Sequence, residues 1–356
     1  MKWTIGELNL RKIVILIVLA SIILGCSAYH VKSTEYAKLF SVRNHSGYVI
    51  LRDTSGRKIV LFNSKKPDIK ADLFIKVPVR RVVVLSTGIV SYIEALNSTD
   101  SIVGVPHCKW YYRNIEEYLK KGKIKDVGTV ENPNYEEILA LKPDVVFIPA
   151  KFISGSVVRK FKSLGIPYVS CGYWLEENPI GKLEWIKFFG YFLGKERLAT
   201  EYFNSAEKRI MRIEEKVRGL NKTKVVYALI LNGRILVPGG KSYHAKLVEM
   251  AGGSYVFSDI NSAGYVTISK EELLAKASNA DVFIAVYMGT PVSIKEITEQ
   301  VPGIANTKPF RERRVYAMQP WIWQHSCEVD RILEDLTAIL HPAVYSHKLV
   351  MFRRLN

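Results

Sequence analysis

From residue 79 onward the chain alternates short β-branched runs with stretches whose apolar positions recur at helical spacing. Residues 82–85, 101–105, 145–149 and 168–171 read as buried strands, and 91–96, 135–141 and 156–164 as the amphipathic helices between them. This rhythm predicts a parallel α/β sheet, because parallel neighbours need a crossover connection and a helix usually supplies it. Upstream, 48–51 and 58–62 flank Asp53-Thr54-Ser55-Gly56, which predicts a hairpin at the edge of the first lobe.

The alternation stops at Pro179, whose ring suits a first helical turn. Helical periodicity then runs to Gly219, with Gly190 and Gly194 as places for a kink or break. A helix of roughly 35 residues would run about 50 Å, enough to cross from one lobe to another. The α/β pattern resumes with 224–231, 246–251, 281–286 and 314–317, and a helix over 328–340 closes it. The expected division is a first lobe at 46–175, a helical connector at 176–222 and a second lobe at 223–356.

An internal echo links the lobes. Asn134-Tyr135-Glu136-Glu137-Ile138-Leu139-Ala140 precedes the apolar run at 145–148, and Ser269-Lys270-Glu271-Glu272-Leu273-Leu274-Ala275 precedes that at 282–285. Each is a capped helix feeding a buried strand, so the two halves read as related.

The first residues read as an address. Lys2, Arg11 and Lys12 precede an uncharged apolar run over 13–24, the length of a signal-peptide core and too short for a membrane-spanning helix. It ends in Ile23-Leu24-Gly25-Cys26, which resembles the lipobox of bacterial and archaeal lipoproteins, so residues 1–25 are expected to be cleaved and Cys26 lipidated. The polar stretch that follows, without periodicity, is expected to form a tether over 26–45. Such a chain works outside the cytoplasmic membrane, held to it by lipid.

The formal charge of +17 falls by two on cleavage and stays strongly basic, which favours anionic ligands or lipid head groups. Nucleic acid is not an expected partner: the cations are dispersed, and neither zinc-finger spacing nor an RNP-type motif occurs. Beyond Cys26 the cysteines are Cys108, Cys171 and Cys327, with no CxxC pair, so at most one disulfide and no structural zinc site is expected.

Catalytic signatures are missing. No G-x-S-x-G, H-E-x-x-H, Walker A or dinucleotide fingerprint occurs, and Pro238-Gly239-Gly240-Lys241-Ser242 only superficially resembles a phosphate loop. No enzyme and no cofactor is expected. A receptor for a bare metal ion would need converging donors, for which His107, His244 and His325 with Cys108 and Cys327 are the candidates; each is as readily a loop or packing residue, and no metal site is assigned. A purely structural or adhesive lipoprotein fits poorly, since short repeats and stalk-like sequence are absent.

Several segments resemble one family. Val77-Pro78-Val79-Arg80-Arg81-Val82-Val83-Val84-Leu85, the NYEEILALKPD block at 134–144, Leu193-Gly194-Lys195-Glu196 and Glu249-Met250-Ala251-Gly252-Gly253 are similar to the class III substrate-binding proteins of ABC importers, which take cobalamin, haem and ferric siderophores. The resemblance implies two doubly wound α/β lobes joined by a single long helix, with the ligand in the cleft between them. It further implies an ABC permease and its ATPase as partners. One exposed glutamate on each lobe, here Glu136 and Glu271, would meet arginines of the permease subunits. An iron complex (siderophore or haem), a corrinoid or an oxyanion all remain open as ligands.

In open α/β sheets ligands sit beyond the carboxyl ends of the strands. Those positions include Ser86-Thr87-Gly88, the stretch from His107 to Tyr112, Lys151-Phe152, Gly172-Tyr173-Trp174, the stretch from Lys241 to His244, Tyr287-Met288 and the stretch from Gln319 to Trp323. Trp110, Tyr111, Tyr173, Trp174, Tyr243, Trp321 and Trp323 are the expected gripping surface, with Lys151 and Lys241 meeting negative charge. Roughly half of such aromatics pack under loops instead, so the expectation attaches to the group.

Overall fold

The computed structural model describes residues 34–356 apart from 152–153 and 287–291. The signal segment, Cys26, Phe152, Tyr287 and Met288 lie outside the described residues.

The expected tether does not extend to His45. The backbone N–H groups of Glu35, Tyr36 and Ala37 donate to the carboxylate of Glu184 at 2.9–3.1 Å. Those of Lys38 and Leu39 donate to Glu176, which also accepts from Trp185 Nε1 at 3.0 Å. Both carboxylates are buried. An irregular strand crossing a core must find acceptors for its amides, and two buried acids supply them with charge-assisted bonds. The chain then enters β1 (Ser41–His45), which pairs antiparallel with β2 (Tyr48–Arg52), itself antiparallel to β3 (Lys58–Phe62) around the expected turn; β4 (Leu73–Lys76) adds in parallel.

The first lobe is a five-stranded parallel sheet of β5 (Val82–Val84), β6 (Ile102–Val105), β7 (Lys125–Asp126), β8 (Val145–Pro149) and β9 (Tyr168–Cys171), in the order β7-β6-β5-β8-β9. Its helices are α1 (Thr87–Ala95), α2 (Arg113–Lys120), α3 (Tyr135–Ala140) and α4 (Gly155–Ser163). The order reverses at β5, which is the doubly wound arrangement.

The connector is two helices rather than one of about 50 Å: α5 (Pro179–Leu193) and α6 (Glu196–Val217). Gly194 causes the break, adopting the left-handed conformation at φ 63° while Lys195 N–H closes the turn on Gly190 O. Gly190 is required for a different reason, since a β-carbon there would stand 2.7 Å from that of Ala199, and only glycine lets α6 fold back against α5. Lys187 Nζ over the Phe203 ring, at 3.7 Å, continues the same contact. Almost every residue of α5 is buried; Trp185 and Phe188 pack edge-to-face on Phe40, Phe189 and Phe192 edge-to-face on Phe147, and Trp185 and Phe188 form a tilted pair with each other. Such rings each bury a large apolar area and make the connector a core element.

The second lobe is built on β10 (Thr223–Leu231), β11 (Arg234–Pro238), β12 (Gly253–Tyr255), β13 (Tyr265–Ile268), β14 (Val282–Ala285), β15 (Val315–Met318) and β16 (Phe352–Arg354). β12, β14 and β15 extend the sheet in parallel from β10, while β11 and β13 form an antiparallel flap at its far end. The helices are α7 (Tyr243–Met250), α8 (Lys270–Ser278), α9 (Ile294–Gln300), α10 (Lys308–Arg311) and α11 (Val329–Leu340).

The echo between lobes extends to hydrogen bonds. Asn134 Oδ1 caps α3 through Glu137 N–H and Ser269 Oγ caps α8 through Glu272 N–H, each at 3.1 Å. Asp144, ahead of β8, accepts from Arg80 and Arg81 N–H; Asp281, ahead of β14, accepts from Lys224 N–H. In both lobes the acid ties the incoming strand to the start of its central neighbour.

Candidate ligand cleft

The carboxyl ends of the parallel strands bring the first lobe's loops against the segment that follows β15. Gln324 is buried and joins them: its Oε1 accepts from Tyr111 N–H at 3.0 Å and its Nε2 donates to Lys109 O at 2.8 Å. Tyr112 stacks on His325 with centroids 4.6 Å apart. Deeper, Cys327 N–H donates to Ser91 Oγ at 3.0 Å and Cys327 Sγ donates to Ser91 O at 3.3 Å. Gly88 makes the approach possible, since a β-carbon there would lie 2.4 Å from Ser326 Oγ and 2.5 Å from the Tyr173 hydroxyl. None of Ser91, Gln324 or Cys327 carries a sequence signal for this latch; their partners are more than two hundred residues away.

The expected aromatics fall into four environments. Trp110 and Tyr173 are each 4% exposed and pack in the core, Tyr173 with its hydroxyl 2.7 Å from Ser86 Oγ and its ring edge-on to Tyr92. Tyr111 and Trp321 meet across the two lobes at 6.3 Å. Tyr243 and Trp323 both pack edge-on to His244, at 5.4 and 5.9 Å. Trp174 is half-buried, its Nε1 donating to Ala150 O at 3.1 Å.

Lys151 is exposed in the left-handed region at φ 63°. Lys241 is also exposed, but it lines a cavity of about 700 Å³ running beside α7 together with Lys38, Lys222, Lys246 and Glu249, away from the Tyr111–Trp321 pair. The loop carrying it is no phosphate cradle. Gly239, Gly240 and Lys241 donate their N–H groups to Gly264 O, Ile260 O and Ser262 O at 2.7–3.0 Å, and Ser242 N–H returns to Gly239 O. A cradle needs those amides free.

The histidines named as possible metal donors do not converge. His107 Nδ1 pairs with Asp126, His325 Nδ1 with Glu328, and His244 sits among aromatic rings. Burial, then the positive charge of Lys182, holds His244 down to about 3, so its imidazole is neutral at physiological pH. Burial raises the thiols of Cys108 and Cys327 to about 12, which keeps both protonated. All three described cysteines are free, and among the described residues no three His, Cys, Asp or Glu side chains form a metal-sized group.

Glu136 and Glu271 are both exposed, each at the second position of its helix. Glu271 titrates below the usual carboxylate range because it accepts from its own backbone N–H and from Ser269.

A family model described as periplasmic binding protein matches residues 82–320, and the chain belongs to that family. It is a binding protein and not an enzyme. It is 30% identical to an uncharacterized lipoprotein of Methanocaldococcus jannaschii over 86% of this chain and 77% of that protein. It is 22% identical to a petrobactin-binding protein of Bacillus subtilis, over 62% of this chain and 68% of that one. Among solved structures, a periplasmic haem-binding protein from Pseudomonas aeruginosa superposes with a TM-score of 0.65 at 18% identity, over 78% of this chain and 98% of that one.

The latch predicts its own test. Gln324→Ala leaves the Tyr111 amide and the Lys109 carbonyl without their partner, and stability should fall by about 2 kcal/mol, read as a lower midpoint in urea with an unchanged slope. An unchanged midpoint removes the latch from the account of lobe contact.

Proposed function

We propose that this chain is the extracytoplasmic, lipid-anchored receptor of an ABC importer, capturing a large planar or catecholate-type ligand and delivering it to a permease. The ligand is an iron complex, siderophore or haem, or a corrinoid. The observation that carries this reading is the pair Tyr111 and Trp321, contributed by different lobes at the carboxyl ends of their strands and meeting at 6.3 Å. The two rings touch each other and leave no slot between them, so a flat ligand would lie against their joint outer surface through apolar burial and stacking. Trp174, Tyr243 and Trp323 are the further aromatics of the reading; Lys151 and Lys241 are exposed, and Lys241 lines the cavity beside α7 rather than the Tyr111–Trp321 pair. Trp110 and Tyr173 support the loops from beneath. The relatives point the same way: one is named for petrobactin and one for haem.

Anchoring is assigned to Cys26 on the lipobox-like run before it and on the similarity to a lipoprotein. Docking is assigned to Glu136 and Glu271. Cap bonds through Glu137 and Glu272 N–H already hold these helix starts, Glu271 adds bonds to its own N–H and to Ser269, and the macrodipole favours an acid at the second position by only about 0.3 to 1 kcal/mol, so local structure gives the two exposed acids only a small advantage. Two exposed acids at equivalent places on two lobes can orient the encounter with a basic permease surface and raise its rate.

Three outcomes are expected. Titration with ferric siderophores, haemin and cobalamin should quench tryptophan emission for at least one class, and Trp321→Ala should weaken that binding about tenfold; binding without quenching, unaffected by Trp321→Ala and Trp174→Ala, removes the aromatic cleft. Glu136→Ala with Glu271→Ala should leave ligand affinity and melting temperature unchanged while transport in reconstituted vesicles falls sharply; transport at the wild-type level ends the docking assignment. Mass spectrometry of protein from the native membrane should find lipid on Cys26 and none after Cys26→Ala, and a soluble, unmodified wild type rules the anchor out.

A further inference from the structure

Lys182 lies on α5 with only 8% of its surface exposed. Among the described residues its Nζ makes no ion pair and no hydrogen bond; its one charge contact is with the face of Tyr243, 4.3 Å from the ring centroid. Burial alone lowers it to about 8, so it still carries its proton at neutral pH. A buried ammonium is normally paired or solvated, and a single aromatic face compensates only part of the lost hydration.

Tyr243 presents the same deficit. Its hydroxyl is buried with no hydrogen-bond partner, and burial, then the field of Asp330, keeps it protonated. Asp330 holds Arg209 through Oδ2 at 2.6 Å while its Oδ1 is buried without a partner, and it makes no ion pair with Lys182. Beside Tyr243, His244 is neutral, 9% exposed, and its ring nitrogens have no hydrogen bond among the described residues. The next thiol, Cys327, is protonated and turned to Ser91. The connector and the second lobe therefore bring together an ammonium, which only an acceptor can satisfy, and a phenol hydroxyl without a partner, beside a neutral imidazole that offers one N–H.

We propose that Lys182, Tyr243 and His244 form a binding point for an oxygen anion, most simply a carboxylate, carried by the cleft ligand. The one charge at this point is the ammonium of Lys182, which repels a cation or an amine and attracts an anion. A carboxylate would supply the counter-ion of Lys182 and the acceptor of Tyr243 in one group. Trp323, edge-on to His244, joins this point to the aromatic surface, so the ligand would combine a large apolar body with an acidic arm. This rests on the receptor reading above and narrows it to acidic ligands.

The residue pair makes an unusual combination of outcomes testable. Lys182→Met removes a buried unpaired charge while keeping the volume of the side chain, so the free protein should melt higher. The same change should abolish the stabilisation that sodium propionate gives the wild type over sodium chloride at equal ionic strength, and Tyr243→Phe should reduce it. With haemin and its dimethyl ester as larger probes, wild type should prefer the free acid about tenfold or more, and Lys182→Met should lose the preference. Propionate protection that depends on Lys182, with no binding of either porphyrin, keeps the anion point and rejects haem as the ligand. Equal binding of haemin and its ester, with tryptophan quenching, keeps the receptor and rejects the anion point. Failure of propionate to protect, with a lower melting temperature in Lys182→Met, also rejects it and makes Lys182 a structural residue.

Discussion

The structure depends on the contact between α1 and the turn from Trp323 to Cys327, where two lobes that share no continuous sheet are pressed to within hydrogen-bonding distance. Two bonds link Ser91 to Cys327, and two more link Gln324 to the backbone of the loop after β6. Each such bond contributes little in net terms, about 1 kcal/mol, but each also satisfies a group that the contact itself has taken out of water. The apposition is therefore cooperative: Gly88 permits it, Gln324 and Ser91 satisfy it, and the loss of any one leaves the others partly unpaired. The facing aromatics owe their separation to this contact.

Behind the latch, the connector acts as a wall shared by both lobes. α5 is apolar on nearly every side, and α6 folds back along it, so the lobes rest on a packed helical pair. Glu176 and Glu184 extend that wall by drawing the first described segment of the chain onto it. The same wall carries Lys182. A lysine in so apolar a helix has no packing advantage over leucine or methionine, and its position facing Tyr243 is the departure from core logic that most directly invites a chemical explanation.

Much of the scaffold was legible in the sequence because it is locally encoded. The β-branched runs at β5, β8 and β9 can only be buried strands, and Asn134 and Ser269 cap the helices their spacing predicts. Gly194 breaks the connector where a break was expected. Asn232-Gly233, both at positive φ, closes the β10–β11 hairpin and is a local turn signal of the ordinary kind, missed in reading 224–231 as a lone strand. The start of α1 at Thr87 was not readable: Ser86-Thr87-Gly88 has loop composition, and Ser86 makes no side-chain cap bond there. Neither was β16, which adds to the sheet edge only because buried Asp335 accepts the amides of Val350, Met351 and Phe352. Among the expected aromatics, residue type could not separate Trp321, which meets Tyr111 of the other lobe, from Trp110, which turns inward; that distinction lies in tertiary contacts.

The latch between α1 and the Trp323–Cys327 turn has a consequence for the direction in which work must be done. A binding protein whose lobes swing freely orders itself when it closes, and that entropy is subtracted from affinity; lobes already fastened together have little left to lose. On the receptor reading, capture by such a body would resemble adsorption to a prepared surface. Release would then be the demanding half of the cycle, since the latch bonds form without the ligand. Any force that parts the lobes would have to come from outside them.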